Sequence, residues 1–225
     1  MQQSTGETGV PVQNEVPVKR GRGRGPVVHL DRSHKAMMIE AILADFRKAP
    51  LSDLTTLDIG CGNGGISDYF AQSNEHYAVD IIDQRRAESR GYEFAQVDSE
   101  QLPFEDKKFD VVLSHHVIEH VSDQSRHLSE IHRVLKDDGI AYIATPNKSS
   151  PIMEGHVGND MVLRYREMTP LFEANGFRSH EYGLEVVNEP EQFFCEVRYG
   201  RYLPKWALKL MRSLYPSHMF VLTKS

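Results

Sequence analysis

The amino-acid sequence predicts an α/β fold: a doubly wound, mostly parallel seven-stranded sheet with helices on both faces. Three observations predict it. Short apolar, strand-like runs alternate with helix-patterned segments from about residue 55 to residue 145, as parallel strands joined by helical crossovers do. One of the runs, Val111-Val112-Leu113, is continuously apolar, as suits a strand covered on both faces. A glycine-rich turn, Gly60-Cys61-Gly62-Asn63-Gly64-Gly65, follows the first strand and opens a helix. Open α/β sheets bind nucleotides at such junctions.

The elements follow in order. Residues 1–26 are polar, with several Gly and Pro and a short basic run from Lys19 to Gly25. They carry too little apolar surface to offset their ordering entropy, so a disordered or loosely docked tail is expected there, and a single domain over 27–225. The run could touch RNA or an anionic membrane, but a solvated tail is the plainer reading. Met38, Ile42, Leu43 and Phe46 recur at helical spacing, with Asp31 or Ser33 as candidate caps. Thr56 to Ile59 reads as the first strand, Ile66 to Gln72 as a helix and His76 to Asp80 as the second strand. Gln84 to Arg90 reads as a short polar helix, Tyr92 to Val97 as the third strand and Phe109 to Ser114 as the fourth. Val117 to Leu135 reads as a helix with a break near Ser122-Asp123, and Asp137-Asp138-Gly139 as a turn. Ile140 to Thr145 is the fifth strand, stopped by Pro146. Lys148 to Arg164 reads as a surface loop over the open end of the sheet. Glu167 to Asn175 reads as a helix closed by Gly176, and Phe177 to Gly183 with Met219 to Thr223 as a closing pair of strands.

Composition narrows the classes of function. Of 225 residues, 40% are hydrophobic and 26% charged, an ordinary globular balance. The net charge of −6 argues against a nucleic-acid binder working by bulk electrostatics. No apolar run approaches the ~20 residues of a membrane-spanning helix, and the polar N-terminus has no apolar segment of a signal peptide. The two cysteines, Cys61 and Cys195, are far apart in different kinds of segment, which fits a reducing cytoplasm.

The residues around the glycine turn suggest a nucleoside site. Asp80 lies 20 residues beyond Gly60 at the end of the next strand, where a carboxylate can accept both hydroxyls of a ribose. A dinucleotide site has the same geometry, so that alternative stays open on these residues alone. Asp58, inside the first strand, suits a cationic amino-acid head better than a pyrophosphate. Asp98-Ser99, ending the third strand, is placed to take the exocyclic amine of an adenine.

Together with Leu57-Asp58-Ile59-Gly60-Cys61-Gly62-Asn63-Gly64, Val79-Asp80, Val97-Asp98, Leu102-Pro103-Phe104, Ile118-Glu119-His120-Val121, Arg133-Val134-Leu135-Lys136 and Thr145-Pro146-Asn147, these features carry a resemblance. The sequence resembles the class I S-adenosylmethionine-dependent methyltransferases. It is most similar to the branch that includes the ubiquinone-biosynthesis O-methyltransferases and many antibiotic and glycan methyltransferases. The likeness covers about 55–147 and extends more loosely to Lys224. It implies a Rossmann-like methyltransferase fold with S-adenosylmethionine as cofactor. By that resemblance Gly60, Cys61, Gly62 and Asn63 pass under the methionine part, and Asp80, with Ile81 beside it, holds the ribose. Asp98 and Ser99 face the adenine, and Ser114 and His115 end the fourth strand beside the sulfonium. Asp137-Asp138-Gly139 stands where the family usually has Pro-Gly-Gly.

Methyl transfer to a hydroxyl usually needs a base. Four histidines, His115, His116, His120 and His156, are expected at the mouth of the pocket, and His116 and His156 are the candidate catalytic residues. The Asn/Asp-Pro-Pro-Tyr/Phe stretch that resembling enzymes use on amide or adenine nitrogens is missing, so the acceptor atom is expected to be oxygen. On a helix, His116, Glu119 and His120 would share one face. The ubiquinone-pathway relatives carry an acidic residue, a Glu and a His at these places, which are thought to hold a divalent metal. His116 departs from that set, and no metal is expected.

The expected acceptor is a sugar, glycan or small hydroxylated metabolite. Two alternatives remain: a quinone or lipid-like ring as acceptor, and a regulatory protein that binds the cofactor without catalysis. No nucleic-acid partner is expected. In the C-terminal region Arg198, Arg201, Lys205, Lys209 and Arg212 form a basic stripe at helical spacing, over about 198–213. Such a helix could touch an anionic membrane from its cytoplasmic face, although a solvated basic face is the plainer reading.

Overall fold

The strands form where the sequence alternates or concentrates apolar residues, and the computed structural model shows how they assemble. It describes residues 33–89, 91–147, 163–181 and 217–225. The strands are β1 (Thr55–Ile59), β2 (Glu75–Asp80), β3 (Glu93–Gln96), β4 (Phe109–His115), β5 (Leu135–Pro146), β6 (Phe177–Glu181) and β7 (Ser217–Lys224). The helices are α1 (Ser33–Arg47), α2 (Gly65–Phe70), α3 (Gln124–Val134) and α4 (Tyr165–Ala174). The sheet order is β3-β2-β1-β4-β5-β7-β6, with β1 to β5 parallel and β7 antiparallel to both its neighbours. The order reverses between β1 and β4, and their carboxyl ends flank a topological switch point.

Side chains on alternate positions of each strand supply two cores. Val111 and Leu113 of β4, with Tyr142 of β5 and Val221 of β7, pack under α1 and α2. Val112, Ile143 and Phe220 face the other way, against Leu128 and Ile131 of α3 and Phe172 of α4. Burying each large apolar side chain contributes about 1.5–3 kcal/mol. That double coverage is why β4 reads as a continuous apolar run.

Three expected elements are corrected. The helix expected from Val117 begins only at Gln124. Asp123 caps it, accepting the Arg126 amide at 3.0 Å, and residues 117–122 are turns. The polar helix expected over Gln84 to Arg90 does not form across 84–89. The Arg86 amide instead donates to the Asn63 carbonyl at 3.2 Å, and the Ser89 amide closes a turn on the Arg86 carbonyl. That segment has no apolar face to bury, so nothing rewards a helix there. Asp137-Asp138-Gly139 lies inside β5 instead of forming a separate turn. The register jumps from Phe109–Leu135 to Val111–Ile140, so these residues sit in an irregularity of the strand. At Gly139 a Cβ would come within 3.1 Å of the Asp110 carbonyl, so a side chain is poorly tolerated there.

Gly176, expected as the cap of the penultimate helix, has φ 78, and its amide bonds the Glu173 carbonyl. The N-terminal tail, the loop over 148–162, the basic stripe of 198–213 and His156 lie outside the described residues, as does Asp31. Among the described residues no helix is long and apolar enough to cross a membrane.

Candidate functional site

A cleft of about 540 Å³ opens at the switch point, beyond the carboxyl ends of β1, β2 and β4. That is within the range of small-molecule sites. Its floor is the glycine turn. Gly60 has φ 72 and Gly62 φ 55, left-handed conformations that side chains disfavour. A Cβ at Gly60 would also collide with the Val117 side chain across the cleft.

Asp80 ends β2 and ties that turn in place. Its Oδ2 accepts the Gly62 amide at 2.8 Å, and its Oδ1 accepts the Ile82 amide at 3.1 Å. Each carboxylate oxygen keeps a further lone pair for a hydroxyl donor. Ile81 is 65% exposed beside it, an apolar surface at the rim. Opposite stands the loop from Asp98 to Gln101. Asp98 Oδ1 accepts the Glu100 amide at 2.9 Å. Glu100 in turn grips the segment after β4: its Oε1 accepts the Ser122 amide and hydroxyl, both at 2.7 Å, and the Asp123 amide at 3.0 Å. The Ser122 hydroxyl, and then the Asp123 amide, hold the Glu100 carboxyl below its usual range.

The wall beyond β4 is built by a third left-handed residue, this one not a glycine. His116 follows β4 with φ 60, and its amide donates to the Ala144 carbonyl of β5 at 2.9 Å. The sharp turn swings the ring back, so that Nδ1 lies 3.2 Å from Oε1 of Glu119 and Nε2 lies 3.4 Å from the Ser217 hydroxyl. The Glu119 side chain is 3% exposed, whereas His120, with Nε2 4.0 Å from Glu119, is 65% exposed. The three side chains expected on one helix face are therefore gathered by a turn instead. Among the described residues no group of three or more His, Cys, Asp or Glu side chains is arranged to hold a metal ion.

Of the residues singled out in the sequence, Gly60, Asp80, Ile81, Asp98, Ser99, His116 and His120 line this one cleft. The other described ones stand behind or beside it. Asp58 is buried at the α2 side of β1 and accepts the Ser67 hydroxyl at 2.7 Å. Cys61 is buried within the turn, and burial, then the Asp58 and Asp80 carboxylates, push its thiol up. Asn63 accepts the Gly65 amide at 3.2 Å and shapes the entry to α2. Ser114 is fully buried, 3.1 Å from His127 Nε2, and the His115 ring stacks parallel to Tyr142. Glu100, Val117 and Ser122 also line the cleft and were not anticipated. The only trace of Glu100's role in the sequence is its adjacency to Asp98-Ser99, because its partners lie 22 and 23 residues further on.

Three carboxylates, Asp80, Asp98 and Glu100, line the cleft, and no Lys or Arg is among the lining residues described. A pyrophosphate would be repelled there, while a nucleoside bearing positive charge is welcome. This donor set fits S-adenosylmethionine, whose ribose hydroxyls, adenine amine and sulfonium all suit acidic partners.

Comparison with known proteins agrees with that chemistry. Residues 57–143 match the model of a family described as a methyltransferase domain. The ubiquinone biosynthesis O-methyltransferase of Caulobacter vibrioides is 35% identical over 131 residues, 52% of this chain and 51% of that protein. The enzyme of the same name from Pelagibacter ubique is 29% identical over 139 residues, 56% of this chain and 58% of that protein. The chain thus spans little more than half the length of these relatives. The crystal structure of an S-adenosylmethionine-dependent methyltransferase from Archaeoglobus fulgidus superposes with a TM-score of 0.58 at 19% identity, covering 86% of this chain and 97% of the other. At that identity the likeness concerns the fold.

Proposed function

Residues 57–143 are a class I S-adenosylmethionine-dependent methyltransferase domain, and from this premise we propose that the protein transfers a methyl group from S-adenosylmethionine to an acceptor hydroxyl. The acidic cleft at the switch point, with Asp80 anchored on the glycine turn, carries the reading. When bound, the cofactor supplies an electrophilic methyl group on a sulfonium. The chain's own part is to align the reactants, exclude water and hold a proton.

In this reading Asp80 accepts the ribose hydroxyls, and Asp98 with Ser99 receives the adenine amine. Gly60, Cys61, Gly62 and Asn63 keep the turn low enough for close approach of the methionine part. Asp58 adds negative potential from behind the turn, Ser114 and His115 form the end of β4, and Ile81 offers an apolar face. His116 is the base. With Nδ1–H donating to the buried Glu119 carboxylate, Nε2 is the accepting nitrogen, and the acceptor's hydroxyl would replace the long 3.4 Å contact of Ser217 there to deliver its proton. His156 is the second candidate for that role.

The names of the relatives favour a ring hydroxyl of a quinone-like molecule over the sugar or glycan hydroxyl expected from the sequence. Contact of the 198–213 segment with an anionic membrane would suit a lipid-like ring equally well.

Turnover settles the choice. Release of S-adenosylhomocysteine would be followed with a panel of catechol-like, sugar and glycan acceptors. Transfer to a hydroxyl of any of these supports the reading. Cofactor binding without transfer to any acceptor would favour a regulatory protein.

A further inference from the structure

The buried imidazole of His127 takes no part in the mechanism above, yet it stands directly behind the cofactor cleft. His127 lies in the first turns of α3 and is completely buried. Its Nε2 is 3.1 Å from the hydroxyl of Ser114, which is also completely buried. Ser114 pairs with Ile59 of β1, a residue that lines the cleft, so the bond lands on the strand edge at the switch point.

The other wall of the cleft meets the same turn of helix: Arg126, next to His127, donates from Nε to the Glu100 carbonyl at 3.0 Å. Burial pushes the His127 imidazole down to about 4, and the groups that oppose this are the Ser99 backbone followed by the carboxylates of Glu100, Asp98 and Glu119. The neutral ring has one donor and one acceptor nitrogen. With the proton on Nδ1, Nε2 accepts from the Ser114 hydroxyl. Among the described residues Nδ1 has no hydrogen-bond partner, so the ring reaches the loop through its own turn of α3. Glu100 holds the outer side of the same loop through Ser122 and Asp123.

We infer that His127 is a positioning residue for the cofactor: one buried ring couples the end of β4, through Ser114, to the Asp98–Glu100 loop that faces the adenine. The inference rests on the cofactor reading of the cleft. It requires that loosening the ring loosen the loop, and so weaken the nucleoside without touching the acceptor side.

The test is calorimetric titration of the full chain with S-adenosylhomocysteine, with thermal melts of each variant in the presence and absence of that ligand. His127→Leu fills the space but removes the bond to Ser114 and is expected to weaken binding about three- to tenfold. Ser114→Ala is expected to weaken it in the same direction. The double variant is expected to bind no worse than His127→Leu alone, because the two groups act as one unit. His127→Gln keeps a polar group near the Nε2 position and is expected to recover most of the affinity. A purely structural role would lower the melting temperature of every variant and leave the affinity of the folded protein unchanged. Parental affinity in folded His127→Leu, or a double variant whose losses simply add, overturns the inference. If His127→Leu does not fold, parental affinity in Ser114→Ala overturns it equally. If the parent itself does not bind S-adenosylhomocysteine, the cofactor reading falls and takes this inference with it.

Discussion

Asp80 Oδ2 accepts the backbone amide of Gly62 at 2.8 Å, so the residue proposed to hold a ribose also fixes the turn beside it. Replacing Asp80 with Ala removes both roles. The loss is expected to be about 1–3 kcal/mol of S-adenosylhomocysteine affinity, read by calorimetric titration. Asp80→Asn keeps one acceptor oxygen and is expected to lie between the two. Parental affinity in Asp80→Ala would mean that the ribose binds elsewhere.

Gly60 carries two constraints, a φ of 72 and a close approach to Val117. Gly60→Ala is expected to lower stability by about 1–2 kcal/mol from the left-handed backbone alone, with more from the collision, and to impair cofactor binding. Adding Val117→Ala relieves the collision but not the backbone strain. The double variant is therefore expected to recover part of the urea midpoint. A Gly60→Ala protein as stable as the parent would contradict the turn geometry.

His116 and Glu119 are 3.2 Å apart, and His116 lines the cleft as the proposed base. His116→Ala is expected to lower turnover by ~10²–10⁴ while leaving S-adenosylhomocysteine affinity near parental. Glu119→Gln keeps a hydrogen-bonding group but loses the charge that stabilises the protonated ring, so a smaller loss in turnover is expected. Equal rates in the parent and His116→Ala would move the role of base to another group, His156 first.

Two buried histidines set the acid limb of stability. Burial pushes His76 down to about 3 and His127 down to about 4, whereas an unfolded histidine titrates near ~6.5. Both are neutral in the folded protein, and the unfolded chain binds more protons below that point. Their stabilising contribution is fully present above pH ~6.5 and is lost as pH falls toward about 4 and then about 3. Each group can cost up to ~1.4 kcal/mol per pH unit in that window. Urea midpoints between pH 7.5 and 5 should fall accordingly, and less steeply in His127→Leu. Midpoints that stay flat over that range would contradict the buried, neutral assignment.

The sheet was legible because its strands announce themselves locally. Val111-Val112-Leu113 packs on both faces, and Asp58 and Asp80 bracket a glycine turn whose backbone needs are written in its residues. The stretch before α3 was misread for the opposite reason, although the break expected near Ser122-Asp123 falls at the cap of that helix. Val117, Ile118 and Val121 have helical spacing, but the backbone there is captured by Glu100 from another loop and is bent by the left-handed His116. Neither cause lies within a local window of sequence. The same distance hid Glu100 and His127 from the candidate site, because their partners are brought together only by the fold. Cys61, Asn63 and Ser114 were expected to touch the cofactor, but they stand behind the cleft instead of lining it.

Calorimetric titration of the parent protein with S-adenosylhomocysteine and, separately, with NAD examines the acidic cleft as a nucleoside site. Saturable binding of one S-adenosylhomocysteine per chain is expected, weakened in Asp80→Ala, with no detectable heat from NAD, whose pyrophosphate would face Asp80, Asp98 and Glu100. Binding of NAD in place of S-adenosylhomocysteine, or of neither, would contradict the assignment of this cleft to S-adenosylmethionine.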